Sequence, residues 1–463
     1  SLNTFGIPGT ETGVSQEMMD FITFEAHDFE GNEQQILSAS VWGDAFELPA
    51  GTVGVAFGLE HRKERGYDYP DALIALGITS GTTRSKTDGS YEVDEAYVEA
   101  NFPILSGAAF ADTLEVDVAF RYSDYNTFGD TSNHKIGVRW VPFDGLMVRG
   151  TSSTAFRAPS TADLFSGASD NSPTVVDPCN NNPTSFCIAD GVPAAGFEPI
   201  GDQLSSTRGG NTELTPEEAD IFTLGLVWSP EFVDGLSFTI DYWDIEVTNA
   251  IATLGEQLIL DSCAASGTYC DKITRFGPDS PLYGNSIDID DRNINVGGVD
   301  SSGIDFNVRY TTDIELGQLA VNVDATRYDT YDITQADGTV IENAHRYLDD
   351  NQGGHGNFPE WKTNIDVSLT TDDWSASWAT RFIGEVEEPY TEIAGREFRD
   401  VDSQVIHDAR FTYFMENVTV SVGLNNILDE DPPFLNTGFN DNTDPRTYST
   451  TGRHAYVSLG LKF

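Results

Sequence analysis

Between His454 and Phe463 apolar and polar residues alternate, with Ala455, Val457, Leu459, Leu461 and Phe463 in one phase and His454, Tyr456, Ser458, Gly460 and Lys462 in the other. Successive side chains of a strand point to opposite faces, so this period of two predicts a strand with one apolar and one polar side. The pattern lasts roughly ten residues, the length a tilted strand needs to cross a bilayer. It returns where Leu114, Val116, Val118, Phe120 and Tyr122 are set against Glu115, Asp117, Ala119, Arg121 and Ser123. Further matches fall at Val53 to Leu59, Leu236 to Tyr242, Ile304 to Tyr310, Leu319 to Ala325, Trp374 to Phe382 and Val418 to Leu424. In all, the pattern predicts about fifteen strands, beginning near Ile36, and Asp20–Ala26 can supply one more.

The connections alternate in length. Glu47–Gly51, Pro142–Gly145, Ser229–Gly235, Asp313–Gly317, Thr371–Asp373 and Phe414–Asn417 read as short turns, whereas 157–219, 248–302, 329–360 and 426–453 read as long loops. Outer-membrane barrels show this asymmetry, with short periplasmic turns and long extracellular loops. A soluble sandwich or propeller also alternates, but loops of about fifty residues are uncommon in compact soluble domains. Trp140, Trp228 and Trp374 stand beside short turns, where an aromatic girdle belongs. The predicted class is all-β, a transmembrane antiparallel barrel over residues 36–463, preceded by a lead-in segment at 1–35.

Composition agrees. Gly 43, Phe 28 and Tyr 17 against Met 4 suit turns and aromatic-rich strands. The formal charge of −50 disfavours nucleic acid as a partner, because phosphate is repelled by such a surface. The cysteines form two close sets, Cys179 with Cys187 and Cys263 with Cys270. They lack the His or second CxxC of a zinc site, so local disulfides formed in an oxidising compartment are expected. Asp288, Asp290 and Asp291 could face a calcium ion, but the Gly and distal Glu of a helix-loop-helix calcium loop are missing, and no cofactor is expected. The histidines, 7 in number, form no HExxH and no GxSxG elbow accompanies them. His407 and Asp408 are adjacent and point to opposite sides of a strand. An enzyme is not expected.

Three segments resemble the TonB-dependent receptors. They are LMVRGTSSTAFRAPS at Leu146–Ser160, GGNTELTPEEADIFTLGLVW ending at Trp228, and GLNNILDEDPPF at Gly423–Phe434, together with the terminal aromatic Phe463. The resemblance implies a barrel of about twenty-two strands around a plug, in the outer membrane of a Gram-negative bacterium. It implies that the plug and about seven strands come from a separate chain or a part not included here, and that this part engages the TonB energy-coupling complex. The implied function is import of a scarce nutrient, an oligosaccharide, a peptide or a metal chelate; a passive porin-like channel and a surface adhesin or scaffold are the alternatives. Taking the polar phase as inward, Glu99, Asp117, Arg121, Arg139, Arg149, Asp241, Asp305, Arg309, Asp324 and Arg381 line the lumen and can hold a plug through solvent-accessible ion pairs. Phe276, Tyr283, Phe434 and Phe439, in the long loops, are candidates for stacking on a ligand. The acidic loops disfavour anionic chelates.

Overall fold

The computed structural model describes residues 15–201, 203–348, 356–389, 398–438 and 442–462. One antiparallel sheet of consecutive strands dominates. It begins with β1 (Phe29–Leu48), β2 (Gly51–Tyr69), β3 (Thr87–Ala108), β4 (Ala111–Tyr125) and β5 (Gly129–Phe143). It continues through β6 (Leu146–Arg157), β7 (Glu217–Trp228), β8 (Leu236–Thr248), β9 (Gly298–Ile314) and β10 (Gly317–Thr334). It ends with β11 (Trp361–Thr370), β12 (Trp374–Ile383), β13 (Gln404–Phe414), β14 (Val418–Asn425) and β15 (His454–Leu461). Among the described residues β1 and β15 do not pair, so the sheet is a wall and not a closed ring. No helix among the described residues is long and apolar enough to cross a membrane, and the apolar surface lies on strands.

The distribution of that surface is inverted relative to a soluble protein. Phe57, Phe120, Ile136, Leu224, Ile240, Trp378, Phe411 and Val422 are all exposed, and all lie on one face of the sheet. Burial in the protein cannot be their stabilisation, so lipid must cover them. At the turn end the same face carries Trp228 stacked on Phe238 at 6.1 Å, Trp374 on Phe411 at 5.8 Å, and Trp140, whose indole N–H donates to the Phe110 carbonyl at 2.8 Å. Aromatic rings with a satisfied polar edge suit an interface between hydrocarbon and water.

At the other end the apolar run on β2 stops at Leu59. His61, Lys63 and Arg65 follow in the same phase and meet Asp94, Glu92 and Asp88 of β3 at 2.8, 2.6 and 3.1 Å. Strand β1 has 20 residues, about twice a membrane crossing, so β1–β3 project well beyond the apolar band.

The strand segments expected from periodicity lie inside observed strands, except that the last strand ends at Leu461, short of Lys462, and Phe463 lies outside the described residues. Other parts differ. Residues Asp20–Ala26 form no strand: Gln16–Ile22 is a helix capped by Ser15, whose hydroxyl accepts from the Met18 N–H at 3.2 Å. The sheet begins at Phe29, seven residues before Ile36. Two further long connections join β2 to β3 and β12 to β13, and one at the loop end, joining β4 to β5, is a tight turn.

Candidate functional site: the inner wall and the loop cap

The face opposite the apolar surface carries the charges. Arg139 and Arg149 stand directly opposite each other in register, a repulsive arrangement that each resolves with its own acid. Arg139 binds Glu115 at 2.8 Å, and Arg149 reaches across β7 to Asp241 of β8 at 2.7 Å. That reach requires Gly225 between them: a Cβ there would lie 1.9 Å from Asp241 Oδ1 and 3.1 Å from Arg149 Nε. Arg121 makes a forked pair with Glu95 at 2.8 and 3.1 Å, Asp117 meets Lys135 at 3.6 Å, and Arg381 meets Asp408 at 3.1 Å. Asp305 accepts from the Thr326 hydroxyl at 2.7 Å and Asp324 from the Asn307 amide. Arg309 is exposed opposite Asn322, and Glu99 lines an open cavity of about 410 Å³ with Asp117, Lys135 and Trp42. All of these side chains share one face, and most of the pairs keep one partner open to water.

The described parts of the long loops pack onto the wall and onto one another. The connection from β6 to β7 first turns down onto the inner wall, where the short helix Thr161–Phe165 buries Leu164 against Tyr91, Val93 and Tyr125. Its two ends are latched by residues of the FRAPS and ELTPE segments. Arg157 binds Glu217 through two bonds of 2.6 and 2.8 Å and Asp163 through a third of 2.9 Å. Ser160 and Asp163 complete a capping box on the helix. The NNILDEDPP segment does the same for the last loop. Asn426, at φ 48°, takes the Glu430 N–H at 2.8 Å and donates to the carbonyls of Glu430 and Thr451 at 2.8 and 3.3 Å.

The β6–β7 and β8–β9 loops then fuse into one cap. Residues Ser206 and Thr207 pair in parallel with Ile289 and Asp290, so strands from the two loops share a small sheet. Arg275, only 3% exposed, bridges Asp177 at 2.5 Å and Asp190 at 2.6 Å from the other loop. Burial pushes the Asp190 carboxyl above its ordinary range despite this cation. Disulfides join Cys179 to Cys187 and Cys263 to Cys270. The first closes the turn around the helix Ser185–Ala189, and the second ties the end of the helix Glu256–Ser266 to the next turn. Cys179 and Cys187 pack with Ala264 of that second helix, and the Thr184 hydroxyl donates to the Ala264 carbonyl at 2.7 Å.

A second cluster gathers Tyr347, Val386, Val401, Leu435 and Tyr448 from the loops after β10, β12 and β14. At its centre Glu388, fully buried, binds Arg399 and accepts from the N–H groups of Asn436 and Thr437 at 2.9 and 3.2 Å. Of the candidate stacking residues, Phe276 and Tyr283 are half-buried in the cap, and Phe434 is 58% exposed with the Arg399 guanidinium 5.5 Å from its ring centre. Phe439 lies outside the described residues. The candidate calcium residues point apart: Asp288 accepts from Thr207 at 2.9 Å, Asp290 pairs with Arg292 at 2.6 Å, and Asp291 turns to the Gly255 N–H at 3.0 Å. Sequence reasoning missed Arg275, Glu388 and the Arg157–Glu217 latch. Only the last had a visible signal, since both residues sit in segments that carry the family resemblance.

A lipid-facing apolar exterior, a charged and hydrated inner face, tight turns at one end and folded loops at the other define an outer-membrane β-barrel wall. The profile of the family described as TonB dependent receptor-like, beta-barrel, matches residues 3–427, and the chain belongs to that family of Gram-negative outer-membrane proteins. Among solved structures, it is similar to the siderophore receptor PirA from Acinetobacter baumannii, at 15% identity and a TM-score of 0.60, over 93% of this chain and 55% of that one. The ferric enterobactin receptor PfeA from Pseudomonas aeruginosa gives 14% identity and a TM-score of 0.61, over 93% and 54%. The iron transporter FrpB from Neisseria meningitidis gives 12% and 0.53, over 94% and 56%. The chain therefore spans little more than half the length of these structures, and at such identities they show a shared fold. No curated protein matches the sequence.

Proposed function

We propose that this chain is the barrel part of an active importer, which captures a scarce nutrient at the loop cap and passes it along a plug seated against the inner wall. The observation that carries the reading is the inner face. Its ion pairs, such as Arg149–Asp241 and Arg381–Asp408, sit half open to water, where each is worth little alone and can exchange partners with an inserted domain. A passive channel needs no folded cap at its mouth, whereas a receptor gains affinity from loops ordered before the ligand arrives.

The nutrient is an oligosaccharide, a peptide or a metal chelate, and the net charge of −50 favours neutral or cationic forms. The plug and the remaining strands belong to a part beyond these residues, and that part engages the TonB complex. The test is uptake by cells carrying or lacking the gene, offered radiolabelled ferric chelates, oligosaccharides and peptides with and without a protonophore. Gene-dependent uptake of one class that the protonophore abolishes is the expected result; gene-dependent uptake that survives the protonophore would make the barrel a passive channel.

A further inference from the structure

The two fused loops also meet in a polar knot that the disulfides and Arg275 do not reach. Glu256, 5% exposed, begins the helix Glu256–Ser266 in one loop. It accepts from Ser206 at 2.7 Å, Asn171 at 2.9 Å and Arg208 at 3.2 Å, all in the other loop. Beside it, Asp291 is 0% exposed. Its Oδ1 takes the Gly255 N–H at 3.0 Å, while Oδ2 has no hydrogen-bond partner and Arg208 Nε stands 3.6 Å away. Two buried carboxylates thus share one guanidinium, which stands nearer to Glu256 than to Asp291, and a buried charge that is only partly compensated is costly to a fold.

The neighbouring charges are engaged elsewhere. Asp288 is taken up by Thr207, Asp290 pairs with Arg292, Lys272 donates to the Asp290 carbonyl at 3.4 Å, and Asp170 is exposed. A metal cation at Oδ2 would lie against the Arg208 guanidinium. A proton on Asp291 supplies the missing neutralisation without displacing that guanidinium.

We propose that Asp291 is a proton-binding site that tightens the joint between the two loops. Burial, and after it the charge of Glu256, pushes the Asp291 carboxyl up to about 6 from its ordinary 3.8, against the opposing pull of the Gly255 N–H, the Arg208 charge and the Thr253 hydroxyl. The folded cap therefore holds this proton more firmly than the unfolded chain does. The contribution is fully present below about 3.8 and is lost as pH rises through about 6, the reverse of the usual aspartate. Mildly acid surroundings close the joint and alkaline ones loosen it.

The experiment is infrared difference spectroscopy on the full protein in detergent between about pH 5 and about pH 8, joined to exchange at the Gly255 amide corrected for its intrinsic rate. Wild type should show a protonated-acid carbonyl band titrating near about 6, with Gly255 protection falling over the same range. In Asp291→Asn the band should vanish and the protection become independent of pH. Glu256→Gln removes the neighbouring charge but keeps an acceptor, and should move the midpoint to lower pH. A band that survives Asp291→Asn, or a midpoint that Glu256→Gln leaves unmoved, would overturn the proposal.

Discussion

Arg275→Met is expected to open the loop cap while the barrel wall stays folded, at a cost of about 3–5 kcal/mol to the cap. The guanidinium is 3% exposed and is the shared partner of Asp177 and Asp190, which are 6% and 11% exposed at their side chains. Methionine fills much of the same volume but strands two carboxylates in a site that water does not reach. The disulfides limit the damage locally, since each closes a sequence separation of only 8 or 7 residues and neither links one loop to the other. Arg275 and Asp177 are 98 residues apart, so this triad ties the loops together where the cysteines cannot. Limited proteolysis should therefore cut within 158–216 and 249–297 in the variant and spare them in wild type. Heat-modifiable migration on gels, a property of the wall, should be retained by both. Unchanged protection in the variant would mean that the small shared sheet and the Ala264 packing suffice to hold the cap.

The second large effect separates the two faces of one strand. Val118→Arg should destabilise the barrel by about 2–4 kcal/mol, the cost of arginine near the bilayer midplane on a lipid-facing strand. Ala119→Arg, one residue further on, should cost far less. Val118 lies opposite Ala100 and Ile136 on the apolar face. Ala119 lies opposite Glu99 and Lys135 on the wet face, where an added guanidinium has Glu99 as a ready partner. Equilibrium unfolding by guanidinium chloride in lipid vesicles measures both. Equal costs at the two positions would contradict the assignment of faces.

The barrel wall was readable because its signal is local. A strand that faces lipid on one side and water on the other must alternate, so Leu114 to Ser123 and Ala455 to Leu461 announced their geometry in a handful of residues. Trp140, Trp228 and Trp374 were placed by their adjacency to short turns, and the cysteines by their spacing. The cap was not readable, because tertiary contacts make it. Nothing near Arg275 in sequence points to Asp177, and nothing near Ser206 announces a strand that needs Ile289 as its neighbour. Loops with little periodicity of their own look disordered until a second loop completes their core, as Ile259, Leu260 and Ile289 do with Val175 and Leu204. The helix at Gln16–Ile22 departs from the expected strand for the opposite reason, since its determinant is local. A strand is expected over Asp20–Ala26, yet Ser15 caps a helical turn that ends before Thr23.

The most direct test of the importer reading is a cryo-electron microscopy structure of the protein purified from its native outer membrane without denaturation. Closing strands are expected beside β1 and β15, and inside them a folded plug whose side chains meet Glu99, Arg149 and Arg381 on the inner wall. A closed barrel with a lumen empty of protein would contradict it and leave an open channel under a folded cap.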